Sequence, residues 1–309
     1  MATNLPTGEH RKGDTINSGP FTKRTIAIVY DFDGTLAPGN MQDYGLLPKL
    51  GIKPEDFWSE VQRFKAENQS VMIQSYMHLL VQRMSSATIT KDELASFGNK
   101  IPLFVGVESW FSEINAFVHK LSKGRISTKH YILSSGLHEI LAGNLVSKHA
   151  TQIFASSFIW QEGKPVAVAR AITDASKPQY IFRINKGKES YSEDINEHMD
   201  EGLRPIPFSH IIFIGDRETD IPCMTVTRKN GGHAIAVYDP KKPENIANCK
   251  LMYDAKRVNF YAEADYKKDS ALRARTEIIL KKIVADIRLE WADHLFKTRV
   301  ASPKVSKNI

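Results

Sequence analysis

The sequence predicts an α/β protein with a doubly wound parallel sheet and a helical domain inserted after the first strand. Short apolar runs rich in β-branched residues recur along the chain, which is typical of strands buried on both faces of a parallel sheet. Segments with apolar residues at helical spacing separate these runs, whereas the stretch 37–104 shows helical patterns without an evident strand. Strands that alternate with helices in this way build a Rossmann-like core.

The predicted strands are apolar runs that end abruptly at polar residues or glycine. They lie at 25–30, 130–133, 210–214, 234–238 and 251–253. The segment 153–183 is predicted to form a β-hairpin, because Glu162 and Gly163 are typical of a turn between two apolar runs. Three strands are followed by residues whose side chains can take part in catalysis, which are Asp31, Ser134 and Asp216.

The predicted helices show apolar residues three and four positions apart. In the insertion they cover 54–64 and 71–84, and TKDE at 90–93 is typical of a capping box that opens a third helix. Outside the insertion they cover 110–121, 137–148 and 270–296. We therefore expect a flexible arm at 1–23, a core at 24–36 and 105–296, a helical cap at 37–104 and a basic tail at 297–309.

Composition narrows the class of protein. The 309 residues are 42% hydrophobic and 25% charged, which is ordinary for a globular protein. Cys223 and Cys249 match no metal-ligand or redox spacing, so we expect two inert buried thiols and no disulfide. No apolar run is long enough for a signal peptide or a bilayer span, which predicts a cytoplasmic protein without a membrane partner.

The charge of the chain favours anionic partners. The formal net charge is +7, and the Lys and Arg residues are spread along the sequence. This spread favours a solvated basic surface over a nucleic-acid groove, so nucleic acid stays an open but less favoured partner. The sequence gives no indication of the oligomeric state.

Acidic side chains gather at one expected edge of the sheet. Asp31 and Asp33 follow the first strand, and Asp216 and Asp220 follow a later one. Ligands bind beyond the carboxyl ends of the strands in such folds, and alternate residues of an extended turn face the same way. Crowded carboxylates repel one another unless a cation lies among them or one is protonated. Oxygen ligands without a His/Cys cluster suit Mg²⁺ rather than zinc.

The order of the motifs resembles the haloacid dehalogenase (HAD) superfamily, in particular its phosphoserine-phosphatase-like group with a C1-type helical cap. The resemblance covers residues 24–255 and rests on TIAIVYDFDGTL (25–36), YILSSG (131–136), a lysine within RINKGKES (183–190) and IIFIGDRETD (211–220). The insertion takes the family's cap position. A closed cap leaves little room for a macromolecule, so the resemblance implies a small phosphorylated substrate.

The resemblance implies a role for each acidic residue. Asp31 would attack phosphorus and form an aspartyl-phosphate, and Asp33 would protonate the leaving oxygen and later activate water. Mg²⁺ would be held by Asp31, by the main-chain carbonyl of Asp33 and by Asp216. Asp220 would bind the motif lysine and support the metal site without being a metal ligand itself.

The resemblance also implies how the phosphate is bound. Ser134 would donate a hydrogen bond to a phosphoryl oxygen, and Ser135 and Gly136 complete the turn around it. Ser134 is preferred to Ser135 because it follows the strand directly. A lysine would neutralise charge on the phosphate and the nucleophile, and Lys186 is chosen over Lys188 for this role.

These roles predict a Mg²⁺-dependent phosphomonoester hydrolase that acts on a small phosphorylated metabolite. A phosphomutase, a nucleic-acid-end phosphatase and a non-catalytic phosphate-binding module stay open as alternatives. Dehalogenase chemistry is disfavoured, because it needs no acid two residues after the nucleophile. Arg217 and Glu218 replace small residues common in phosphoserine-phosphatase-like relatives, which argues against specific phosphoserine activity.

Overall fold

A computed structural model of the chain describes residues 21–242 and 244–301. Seven strands are found there: β1 (Thr25–Tyr30), β2 (Ser127–Leu137), β3 (Gln152–Gln161), β4 (Lys164–Arg170), β5 (Ile211–Gly215), β6 (His233–Tyr238) and β7 (Phe260–Glu263). They form one sheet in the order β4-β3-β2-β1-β5-β6-β7. Every neighbouring pair is parallel except β3 and β4, which are antiparallel. The predicted α/β class and parallel sheet are confirmed.

The described residues also form ten α-helices. They are α1 (Leu46–Lys49), α2 (Pro54–Asn68), α3 (Met72–Ala87), α4 (Lys91–Ser96), α5 (Val107–Ser122), α6 (His138–Ala142), α7 (Pro178–Lys186), α8 (Ile221–Lys229), α9 (Glu244–Asp254) and α10 (Ala271–Ala301). The predicted helix at 137–148 is shorter than expected, because α6 ends at Ala142 and a separate 3₁₀ turn covers Leu145–Lys148. No helix in the described part of the chain combines the length and the apolar character that a membrane span requires.

The central strand β1 is buried on both faces of the sheet. Ile26, Ile28 and Tyr30 belong to the hydrophobic cluster on one face, and Ala27 and Val29 belong to the cluster on the other. All five side chains are fully buried. Side chains of a strand alternate between the two faces, so an uninterrupted apolar run is what a strand covered on both sides requires.

The predicted strand at 251–253 is wrong. These residues lie in helix α9, and the last strand is β7. Met252 is buried, whereas Leu251 and Tyr253 are 66% and 48% exposed. Cys249 is buried three positions before Met252, which is the spacing of one helical face. Three apolar residues in a row are too few to tell a strand from part of a helix.

The hairpin of β3 and β4 lies beside the inserted helices. Its turn is at Glu162 and Gly163, which both have positive φ (50° and 76°). The Ser85 hydroxyl on α3 donates a hydrogen bond to the carbonyl of Pro165 on β4 (2.7 Å). Within the insertion, Thr90 caps α4 by accepting a hydrogen bond from the backbone N–H of Glu93, as the capping-box pattern predicts.

The structure describes only part of each predicted terminal segment. Of the predicted arm at 1–23, residues 1–20 lie outside the described residues. Helix α10 continues to Ala301, past residue 297 where the basic tail was expected to begin, and residues 302–309 lie outside the described part. The division into core and cap stays a prediction. Cys223 and Cys249 are free and buried, as expected.

Candidate active site

The predicted site residues meet because their strands are neighbours. Strand β1 pairs in parallel with β2 on one side and β5 on the other, and Tyr30 is level with Ile132 and Ile214. The residues that follow these positions therefore reach the same edge of the sheet. A cavity of about 380 Å³ lies there, and its lining includes Asp31, Asp33, Ser134, Ser135, Gly136 and Lys177.

Lys177 is the buried cation of this site. Its ammonium donates hydrogen bonds to Asp31 Oδ1 (2.7 Å) and to Asp220 Oδ1 (2.6 Å). Although burial lowers the pKa of Lys177, the charges of Asp220 and Asp31 hold it above its ordinary value. The lysine is therefore charged and fixes the orientation of Asp31.

Lys186 does not lie at this site, so its assignment as the motif lysine is wrong. Its ammonium donates to the carbonyls of Ile195 (2.6 Å) and Glu197 (2.9 Å). Lys188, the alternative, bonds to the carbonyl of Asp194 and the carboxylate of Glu197. Lys186 ends α7 and Lys188 follows it, and both bind residues 194–197 in the loop after the helix.

The position of helix α7 explains this correction. Lys177 directly precedes the helix and Lys186 is its last residue. Nine helical residues carry the chain about 13 Å away from the site. The sequence signal that could have identified this lysine is Lys177-Pro178. Proline is favoured at the first position of a helix, so the pair indicates that Lys177 directly precedes one. A helix that leads back to the next parallel strand begins near the edge where ligands bind.

Asp216 is packed closely against the loop that follows β1. Thr35 Oγ1 donates to Asp216 Oδ1 (3.2 Å), and Arg217 Nε donates to Asp216 Oδ2 (3.1 Å). Gly34 has a φ of +89°, and a Cβ atom at this position would lie 2.0 Å from Asp216 Oδ2. The motif therefore needs glycine here both for the backbone conformation and for the approach of this carboxylate.

Asp220 holds the second acidic loop in place. Its Oδ2 accepts hydrogen bonds from the backbone N–H groups of Asp216 (3.2 Å) and Arg217 (3.3 Å), while its Oδ1 binds Lys177. The residue is fully buried. It thus links Lys177 to the Asp216 loop.

Asp33 and Asp31 differ in their surroundings. Burial, and then the charge of Asp31, raise the pKa of Asp33 to about 7. Burial and the charge of Asp220 raise the pKa of Asp31 to about 6, although Lys177 opposes this rise. Asp33 Oδ1 also accepts a hydrogen bond from the backbone N–H of Met41 (2.9 Å). Both carboxyls therefore hold a proton closer to neutral pH than an ordinary aspartate does.

Ser134 is buried at the cavity with Gly136. Its hydroxyl oxygen accepts a hydrogen bond from the backbone N–H of Gly136 (2.9 Å). Among the described residues, no acceptor takes its hydroxyl proton, so the proton is free for a phosphoryl oxygen. The neighbouring Ser135 carbonyl accepts hydrogen bonds from Tyr76 (2.6 Å) and Ser156 (3.0 Å).

The acidic residues fit a divalent cation. Asp31, Asp216 and Asp220 each offer a carboxylate oxygen, and these oxygens lie within 4.8 Å of one another. Burial, together with the charges of Asp31 and Asp220, raises the pKa of Asp216 well above its usual range despite the opposing charge of Arg217. A bound cation would relieve this cost, and buried carboxylate oxygens are ligands of the type that Mg²⁺ prefers. Among the described residues, Asp220 already accepts hydrogen bonds from Lys177 and from two backbone N–H groups, whereas Asp31 accepts one from Lys177 alone and Asp216 accepts two from side chains. Asp31 and Asp216 are therefore the residues best placed to hold the cation.

Comparisons with known proteins bear on the family and the fold. No protein-family model matches the chain. An uncharacterized protein of Borreliella burgdorferi is 28% identical over 274 residues, which cover 80% of this chain and 93% of that protein.

Solved structures with the same fold include several phosphatases. A HAD family hydrolase of Salmonella enterica serovar Typhi matches with a TM-score of 0.54 and 15% identity, over 84% of this chain and 72% of its own. A phosphoserine phosphatase with bound substrate matches with a TM-score of 0.53 and 17% identity, over 83% and 99%. A probable phosphoserine phosphatase of Vibrio cholerae matches with a TM-score of 0.53 and 14% identity, over 89% and 69%. The chain therefore has the fold of HAD hydrolases and phosphoserine phosphatases, as its motifs predict.

Proposed function

We propose that the chain is a Mg²⁺-dependent phosphomonoester hydrolase that acts on a small phosphorylated metabolite through an aspartyl-phosphate on Asp31. The observation that carries the proposal is the pairing of buried Asp31 with Lys177, in one cavity with Asp33 and Ser134. The fold shared with phosphoserine phosphatases supports the same reaction class.

The first step transfers the phosphoryl group to the protein. A carboxylate oxygen of Asp31 attacks phosphorus and forms the new O–P bond, while the bond from phosphorus to the ester oxygen breaks. Asp33 gives its proton to the departing oxygen, so the alcohol leaves uncharged. Lys177 keeps Asp31 oriented, and Ser134 donates its free proton to a phosphoryl oxygen.

The second step releases inorganic phosphate. Asp33, now a carboxylate, accepts a proton from a water molecule that attacks phosphorus. The O–P bond to Asp31 breaks, which restores the Asp31 carboxylate and the protonated form of Asp33. A pKa of about 7 for Asp33 supports both roles, because such a group gives and accepts a proton near neutral pH.

Mg²⁺ is the cofactor of the proposed reaction. Asp31 and Asp216 would hold Mg²⁺ together with the main-chain carbonyl of Asp33. When bound, the cation offsets the repulsion between the nucleophile and the phosphate and stabilises the charge on the transferring group.

Phosphate release from p-nitrophenyl phosphate tests the proposal. The native protein and Asp31→Asn should be compared with Mg²⁺ and after treatment with a chelator. We expect turnover by the native protein that needs Mg²⁺ and that is lost in Asp31→Asn. Metal-independent turnover, or equal rates in the two proteins, would refute the proposed reaction. No turnover of this ester or of a broad panel of phosphorylated metabolites would favour a binding function.

A further inference from the structure

The cavity beside Asp31 has a charged end and an uncharged wall. Its charged lining residues are Asp31, Asp33, Lys177 and Arg217, and none of them belongs to the stretch 37–104. The lining residues from the stretch 37–104 carry no charge and are Asn40, Gln42, Trp58, Met72, Ile73 and Tyr76. An alcohol group that extends beyond the phosphate therefore meets amide, aromatic and aliphatic side chains.

Most polar atoms of this uncharged wall already have partners. Trp58 Nε1 donates to Asp43 Oδ1 (3.0 Å), and the Tyr76 hydroxyl donates to the Ser135 carbonyl (2.6 Å). Gln42 is different: it is 2% exposed, and its Oε1 is buried without a hydrogen-bond partner in the described part of the chain. Ser135 Oγ is likewise buried and unpartnered there. Unpaired buried polar atoms are costly, so a ligand that donates a hydrogen bond here gains affinity.

Arg217 joins the charged end of the cavity to this wall. Its Nε donates to Asp216 Oδ2 (3.1 Å) and its Nη1 donates to Asn40 Oδ1 (3.2 Å). The second contact places the guanidinium beside one residue of the wall, where its positive charge also disfavours an ammonium group.

We propose that Gln42 and the uncharged wall select phosphate esters of uncharged, largely apolar alcohols that carry a hydrogen-bond donor, and reject esters that carry an ammonium group. This inference rests on the function proposed for the same site. The Gln42 carbonyl accepts a hydrogen bond from an ammonium group, but it does not neutralise the charge that is taken out of water. A cavity of about 380 Å³ lies within the usual size range of small-molecule sites.

Binding to Asp31→Asn tests the selection without turnover. We would measure by calorimetry, with Mg²⁺ present, the affinities of 2-(4-hydroxyphenyl)ethyl phosphate and phosphoethanolamine. Both are esters of primary alcohols and present the same phosphate. We expect the hydroxyphenyl ester to bind about 100-fold more tightly. Equal affinities, or tighter binding of phosphoethanolamine, would overturn the inference.

Substitutions of Gln42 in the Asp31→Asn protein test whether Gln42 contributes to the selection. Gln42→Glu adds a carboxylate to the wall and should lower the preference for the hydroxyphenyl ester about 10-fold. Gln82→Glu is the matched control, because Gln82 is exposed on α3 and should leave the preference unchanged. An unchanged preference in a folded Gln42→Glu variant would remove Gln42 as the selecting residue.

A second substitution keeps the test decisive if Gln42→Glu does not fold. Gln42→Leu keeps the wall uncharged and removes the carbonyl, so it should weaken binding of the hydroxyphenyl ester about 10-fold. Unweakened binding would contradict the role of the carbonyl.

Hydrolysis by the native protein separates the two proposals. Preferential binding of the uncharged ester without any phosphate release would refute the proposed hydrolase and leave the selection intact. Phosphate release with preference for phosphoethanolamine would refute the selection alone.

Discussion

At the scale of single residues, Lys177 connects the two acidic loops of the site. It bonds to Asp31 at the end of β1 and to Asp220 after β5, and all three side chains are buried. Removal of the cation leaves two carboxylates close together without a counter-charge, which is strongly unfavourable in a buried site. The lysine is therefore needed both for the geometry of Asp31 and for its charge.

Two lysine substitutions distinguish this role from that of an ordinary surface lysine. Lys177→Met should lower Mg²⁺-dependent phosphate release about 100-fold or more, because it removes a donor from the nucleophile. Lys186→Met is the matched control and should keep activity, since Lys186 bonds only to loop carbonyls. The measurement is kcat/KM with p-nitrophenyl phosphate, with the melting temperature of each variant as the check on folding. Similar losses in the two variants would contradict the assignment of Lys177.

A second pair of substitutions tests the close contact at Gly34. Gly34→Ala places a Cβ atom against Asp216, and a displaced carboxylate should lower phosphate release about 100-fold. Gly51 also has a positive φ (+68°) but has open space where a Cβ atom would lie. Gly51→Ala should therefore lose about 1 kcal/mol of stability and keep its activity. Full activity in a folded Gly34→Ala variant would contradict this packing.

The sequence predicts the residues at strand ends better than it predicts the lysine. Asp31, Ser134 and Asp216 follow apolar runs, and parallel strands in one sheet bring such positions to one edge. Lys177 follows a hairpin instead, so its distance from Asp31 depends on how that hairpin and α7 pack. That packing is a long-range property which local spacing does not determine.

At the scale of secondary-structure elements, Glu139 joins helix α6 to strand β3. Its Oε1 accepts hydrogen bonds from the backbone N–H of Phe158 (3.0 Å) and from Trp160 Nε1 (3.0 Å). The residue is 3% exposed. This carboxylate therefore holds strand β3 of the hairpin that packs on helix α3.

Substitution of Glu139 should loosen this junction. Glu139→Ala leaves two donors unpaired, one of them in the backbone, and should lower the free energy of unfolding by about 2 kcal/mol. Glu108→Ala, at an exposed position of α5, is the control and should change stability by less than about 0.5 kcal/mol. Urea denaturation measures both. An unchanged midpoint in Glu139→Ala would show that the junction contributes little.

The sequence predicts secondary-structure elements more accurately where the apolar pattern is longer. Strand β1 has six residues with both faces covered, and its apolar run predicts its bounds. The run at 251–253 has three residues and belongs to helix α9. Strand β2 extends to Leu137, beyond the apolar run, and the polar residues near its end line the cavity.

At the scale of the whole molecule, the buried His130 and His210 and the half-buried His233 link stability to pH. Burial lowers the pKa of His130 to about 3 and the pKa values of His210 and His233 to about 4. His130 lies in a chain of hydrogen bonds: Trp110 Nε1 donates to the Tyr30 hydroxyl, which bonds to His130 Nδ1 (3.0 Å). The folded protein therefore keeps these rings neutral.

Acid should remove the contribution of these histidines to stability below about pH 6.5, while the raised pKa values of Asp31 and Asp33 contribute with the opposite sign. An unfolded histidine takes up a proton near pH 6.5, whereas these three do so in the folded protein only below about pH 4. Their contribution to stability is therefore complete above this window and is lost as the pH falls through it. At pH 5, His130 alone should lower the free energy of unfolding by about 2 kcal/mol relative to pH 7.

Substitution of His130 tests this linkage. His130→Gln should reduce the slope of unfolding free energy against pH between pH 4 and 6, because one proton fewer is taken up on unfolding. His198 is exposed, so His198→Gln serves as the control and should leave the slope unchanged. A slope that is the same in all three proteins would rule out His130 as a source of the acid sensitivity.

The most direct measurement of the central claim is the detection of a phosphoryl group on Asp31. In Asp33→Asn the attacking water lacks its base, whereas p-nitrophenolate leaves without needing a proton, so the aspartyl-phosphate should accumulate. The reaction would be quenched in acid, digested with pepsin and examined by mass spectrometry. We expect the added mass of one phosphoryl group on the peptide that contains Asp31, and no such mass after Asp31→Asn. Turnover by the native protein with no phosphorylated Asp31 peptide, or with the group on another residue, would contradict Asp31 as the nucleophile.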